Sequence, residues 1–222
     1  MVGVASSGVS GRSPERFSFR SLAAEIATAP PSCGRARLIA IDGHGGAGKS
    51  LFAARLAGHL DDAPIVHTDD FASWDNPHYW WGRFEACVLE PLELGDPIRY
   101  QAYDWTNRRL GAWREIPNRD NVIVEGVSSS RRAVVGRLAM VVWIEAPPDI
   151  RMARGIERDG ESMRPMWETW MASEDHHFRT DGSVERADLI VDGSPTLAHD
   201  PEEEFILLDR PRALRSTATI SE

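Results

Sequence analysis

The chain has 222 residues, 42% hydrophobic and 27% charged, with a formal net charge of −9; such values suit one globular domain with a substantial core. The acidic balance argues against a nucleic-acid binder, which would show a basic stripe, and no apolar run approaches the ~20 residues of a membrane span. Two cysteines, Cys33 and Cys87, build no disulfide framework and match no metal-ligand spacing, so a reducing cytoplasm is the expected setting.

Residues 1–16 are rich in Ser, Gly and Val without an apolar period, and are expected to be a disordered leader. Phe19, Leu22, Ala23, Ile26 and Ala27 follow a helical period that Pro30-Pro31 stops. Residues 37–42 form the first predicted strand, 48–60 the following helix, and 64–68 a second strand ending in Asp69-Asp70. An aromatic, helix-biased stretch over 71–94 holds Trp74, Tyr79, Trp80, Trp81 and Phe84, and residues 98–105 read as an extended stretch. Residues 121–126, 140–145 and 187–191 read as three further buried strands. Pro148 opens a helix carrying Arg151, Arg154 and Arg158, residues 163–178 form another helix, and 209–222 are a polar tail. Nearly continuous apolar strands alternating with helices predict an α/β fold, a parallel sheet covered on both faces. A single domain over 17–208 is expected, with lid and substrate-binding segments at about 71–118 and 151–180.

Gly43-His44-Gly45-Gly46-Ala47-Gly48-Lys49-Ser50 stands between the first strand and the helix that begins Leu51-Phe52. This is G-x-x-x-x-G-K-S in the context a phosphate-binding loop requires. Backbone N–H groups of such a loop converge on an anion, and the helix behind directs its positive end there. Lys49 is placed to reach the β/γ-phosphates of ATP, and Ser50 to hold Mg²⁺. A glycine-rich turn that happens to contain Lys-Ser is the bland alternative.

Three features favour phosphoryl transfer. Asp69-Asp70 ends the second strand, where ligands of open parallel sheets sit, and Asp69 can take a proton from an acceptor hydroxyl; a helix cap is the competing use. Glu125 closes an apolar strand in the place of a Mg²⁺-orienting carboxylate, with Asp42 a second, outer-shell candidate. Arg151, Arg154 and Arg158 share one helix face and suit a phosphoryl group, or else a solvated basic face.

The ordered set of loop, Thr68-Asp69-Asp70-Phe71, Asp75-x-Pro77, Tyr103-Asp104-Trp105, Val124-Glu125-Gly126 and Arg151-x-x-Arg154-x-x-x-Arg158-Asp159 resembles the uridine kinase and phosphoribulokinase-like phosphate-loop kinases over residues 37–192. The resemblance implies a three-layer sandwich on a parallel five-stranded sheet in order 2-3-1-4-5. It implies Asp69 as base for a ribose hydroxyl, Asp75 as a ligand of the ribose hydroxyls, Tyr103 in the substrate pocket, and Arg154 and Arg158 as lid arginines. Trp74 and Arg151 are further substrate-binding candidates. Where uridine kinases carry a base-reading histidine after Tyr-Asp-Phe, this chain has Thr106-Asn107-Arg108. The expectation is an ATP- and Mg²⁺-dependent kinase of a small acceptor, a nucleoside first and another alcohol such as an antibiotic or metabolite second. A nucleotide-binding switch without an acceptor is the rival class, and self-association into a homo-oligomer stays open.

Overall fold

A computed structural model describes residues 13–73, 76 and 80–211. Its centre is a seven-stranded sheet of β1 (Glu15–Ser18), β2 (Arg37–Asp42), β3 (Ile65–His67), β6 (Asn121–Glu125), β7 (Met140–Glu145), β8 (Leu189–Asp192) and β9 (Glu204–Asp209). The order across it is β1-β9-β8-β7-β2-β6-β3, with β3, β6, β2, β7 and β8 mutually parallel. The sheet is therefore wider than the five strands expected. Antiparallel β9 and β1 extend one edge, because Phe205, Ile206 and Leu207 form a further buried run that β1 covers. β1 also begins inside the stretch expected to be a leader.

Successive residues of the parallel strands serve opposite faces, as the pleat requires. Ile39, Ile41, Ile123, Val142 and Ile144 pack beneath α1 (Phe19–Thr28) and α2 (Lys49–Gly58). Leu38, Val122 and Val124 pack on the other face against Phe84, Val88, Leu89 and Leu92. Those four come from α3 (Trp81–Phe84), the π turn Glu85–Leu89, and α4 (Glu90–Leu94), which run end to end. Strands β4 (Ile98–Asp104) and β5 (Arg109–Ile116) form an antiparallel hairpin, so the predicted extended stretch finds its partner in the segment that follows. Ile98 and Tyr100 anchor this hairpin in the same core.

Two long helices finish the domain. α5 (Pro148–Asp159) starts on a proline at its first position, where no backbone donor is lost. α6 (Arg164–Asp181) lies back against it, and Gly155 permits the approach: a Cβ there would come within 2.3 Å of the Trp167 indole. Among the described residues no helix is long and apolar enough to cross a membrane.

Candidate active site

The phosphate loop is shaped by what surrounds it. Gly46 has φ +75, and a Cβ there would meet the Arg151 carbonyl at 2.6 Å; a Cβ on Gly43, at φ +141, would meet the Ile144 carbonyl at 2.4 Å. Only glycine fits either position. Ala47 is fully buried, and its carbonyl lies against Gly193. Gly48 caps α2 with no side-chain hydrogen bond, so the first-turn amides have no side-chain partner. That combination is an anion site.

Asp42 fixes the base of the loop. Fully buried, it accepts from the Gly43 N–H (2.8 Å), the Ser128 N–H (2.9 Å), and the Ser130 N–H and hydroxyl (2.8 and 2.7 Å). Desolvation pushes its pKa up, against these hydrogen bonds and Lys49. All its bonds tie the loop to the segment after β6, so the structure gives Asp42 a scaffolding role rather than an outer-shell one. His44 turns away to stack edge-on against Trp143 and Phe178, and meets Asp175 at 2.9 Å. Burial, with Arg151 adding to it, pushes His44 down to about 4.

Lys49 is buried, and its Nζ donates to the His44 carbonyl at 2.8 Å. Ser50 donates to both Glu125 oxygens, at 3.0 and 3.2 Å, and His67 Nδ1 stands 3.3 Å from the same carboxylate. Burial would raise Glu125, but His67, Lys49 and Ser50 outweigh it and hold the group below its usual range. A hydroxyl and an ionised carboxylate at the head of the loop are hard oxygen donors, and Mg²⁺ takes few protein ligands and keeps its waters. The residues fit that ion.

Asp69 and Asp70 have separate fates. Asp70 is buried, accepting from Tyr100 Oη at 2.8 Å and Arg114 Nε at 3.0 Å, so it anchors the hairpin. Asp69 opens into the cleft yet is ringed by protein. Desolvation raises its pKa, Glu125 adds to this, and Lys49 and Arg158 oppose it.

Three cavities surround the loop. The largest, about 600 Å³, brings Ser50, Glu125, Asp69 and Arg158 together under Trp105, Trp167 and Trp170. A second of about 230 Å³ shares Asp69, Met166 and Trp170 with it and adds Trp80, Ser173 and Glu174. The third, about 450 Å³, lies beyond Gly48 and is walled by Leu51, Arg55, Arg154, Gly193 and Pro195.

The expected arginines divide accordingly. Arg158 reaches the large cavity, paired with Asp159 at 2.8 Å and stacked on Trp167. Arg154 lies along the loop, donating to the Gly46 and Gly193 carbonyls at 3.1 and 2.9 Å. Arg151 is 4% exposed, donates Nε to the Ala146 carbonyl, and packs its backbone under Gly46. It supports the loop and lines none of the three cavities, because Gly46 lies over its backbone. Tyr103 stacks edge-on against Trp105, and it is Trp105 that reaches the cleft, donating Nε1 to the Asp69 carbonyl at 3.2 Å. Trp74 and Asp75 lie outside the described residues. Trp167, Trp170, Glu174, Arg114 and His67 were not singled out for this site by sequence.

No family model and no curated protein sequence matches the chain. Solved structures do. One from Bacillus stearothermophilus, named as a possible uridine kinase, is 19% identical, with a TM-score of 0.58 over 78% of this chain and 96% of that one. Another from Silicibacter sp. TM1040, provisionally named a fructose transport system kinase, is 16% identical, with a TM-score of 0.59 over 74% and 95%. The chain thus shares the fold of these two structures.

Proposed function

We propose that this chain is an ATP-dependent phosphotransferase that moves the γ-phosphoryl group to a hydroxyl of a small acceptor, a nucleoside by class. The observation that carries this is Asp69. It is the one carboxylate common to both cavities on one side of the loop, while a separate groove lies on the other side. Donor and acceptor therefore have distinct seats on either side of the phosphates.

Triphosphate oxygens take the loop amides, with the donor's nucleoside in the groove by Leu51 and Arg154. Asp69 accepts the proton of the acceptor hydroxyl as its oxygen attacks the terminal phosphorus, and ADP leaves. Lys49 and Arg158 balance charge that spreads over the moving group. Held by Ser50 with Glu125 beside it, Mg²⁺ would supply charge neutralisation at the β- and γ-phosphates. Trp170 and Trp80 give the acceptor side flat apolar walls, and a planar base stacks well on such rings. Closing the site under Trp105 and Trp167 keeps water from the phosphoryl group.

An ADP-release screen with ATP, Mg²⁺ and a panel of nucleosides, sugars and hydroxylated antibiotics tests the reading. Nucleosides are expected to stimulate release most. Stimulation only by a non-nucleoside alcohol would overturn the acceptor class, and release that ignores every acceptor would overturn the transferase.

A further inference from the structure

Two neighbouring residues of α6 clasp two neighbouring residues of the phosphate loop. The Gly45 N–H donates to Glu174 Oε2 at 2.9 Å, and His44 meets Asp175 at 2.9 Å. Glu174 is 4% exposed. A Cβ on Gly45 would stand 3.0 Å from its Oε1 and 3.3 Å from the Trp167 ring. A donor built for an anion is thus already taken by a carboxyl group of its own chain, whose ionisation burial opposes and Lys49 and the Gly45 N–H favour.

Which phosphate it displaces follows from its side of the loop. Glu174 and Asp69 line one cavity, whereas Gly48 and Leu51 border the opposite groove. The phosphate handed to an acceptor is the one nearest Asp69. The Gly45 N–H therefore belongs to the terminal-phosphate side.

We propose that Glu174 is a positioning residue that holds the terminal-phosphate place at the Gly45 N–H and yields it only to a triphosphate. This rests on the phosphotransferase reading above. One N–H cannot serve the carboxyl oxygen and a phosphate oxygen at once, so a third phosphate expels the carboxyl group; a diphosphate has no group there and leaves it bound. Trp170 and Ser173, which wall the acceptor cavity, ride on the same helix as Glu174. The exchange thus sets the acceptor wall according to whether the donor is spent. It also lets the site tell ATP from ADP, which differ by that one group.

The test measures binding by the full chain with Mg²⁺ and no acceptor, titrating a non-hydrolysable ATP analogue and ADP into wild type, Glu174→Gln and Glu174→Ala. Glutamine keeps the size and an acceptor oxygen but no charge. Both variants are expected to bind the analogue tighter by about fivefold or more, the lower end of ordinary coupling between sites, with ADP affinity unchanged within about twofold. Hydrogen exchange of residues 164–181 in wild type supplies a readout that needs no variant, and only the analogue is expected to alter it. Weaker or unchanged analogue binding in Glu174→Gln, or exchange that responds alike to both nucleotides, would overturn the role of Glu174 alone. Failure of wild type to bind either nucleotide would overturn the phosphotransferase reading with it.

Discussion

The two sides of the phosphate loop are built from different materials. Beyond Gly48 the groove is walled largely by apolar residues and main chain: Leu51 and Phe52 of α2, Val191, Gly193 and Pro195 at the end of β8, and Phe205 and Ile206 of β9, with Arg154 reaching main-chain carbonyls. On the Asp69 side, side chains from β3, β5, β6, α5 and α6 converge, bringing Asp69, Glu125 and Glu174 close to Lys49. A seat that only binds can be made from apolar walls, main chain and a few polar side chains. A seat where a proton leaves and charge moves needs titratable groups held at set distances around one point.

If that division is right, substitutions on the two sides fail differently. The largest effect is expected from Asp69→Asn, which keeps the shape but removes the base. Turnover should fall by about 10²–10⁴-fold, with analogue binding by calorimetry little changed. Lys49→Ala, at the boundary between the sides, should cost roughly 10²–10³-fold in kcat and weaken nucleotide binding as well. Trp170→Ala sharpens the contrast from the acceptor wall. It should raise the KM for the acceptor by a stacking contribution of roughly 1–3 kcal/mol, while the KM for ATP stays put in steady-state kinetics.

Stability measurements probe the frame that holds both sides together. Gly155→Ala pushes a methyl into the Trp167 indole, and overpacking of this kind costs roughly 1–3 kcal/mol in denaturant unfolding. His44 gives a pH dependence of known sign. Its folded pKa of about 4 lies below the 6.5 of a free imidazole, so the unfolded chain binds the extra proton between those limits. Its contribution is complete above pH 6.5 and is lost as pH falls to 4 and below, on the order of 3 kcal/mol in all. His44→Gln should flatten that part of the stability profile.

The sequence makes the phosphate loop legible because its signals are local: an apolar run, four glycines with lysine and serine at fixed spacing, and a helix behind them. Glu125 is equally readable, since an acid that ends a buried strand has few uses. The acceptor side is less so. Glu174 sits 129 residues from Gly45, its partner, and no periodicity marks it among the other polar residues of α6. Asp69 and Asp70 look alike in sequence; Tyr100 and Arg114 separate them by claiming the second. Arg151 shares the helical spacing of Arg154 and Arg158, but the loop lies over it, which spacing alone does not reveal. The edge pair β9–β1 escaped because an antiparallel return carries no motif.

The central claim is that the chain joins a donor phosphate to an acceptor oxygen at Asp69. Phosphorus NMR of a reaction with ATP, Mg²⁺ and the most stimulating acceptor of the screen tests it most directly. One phosphate monoester of the acceptor should form for each ADP, and Asp69→Asn should suppress both together. Inorganic phosphate appearing with ADP while no ester forms would contradict it.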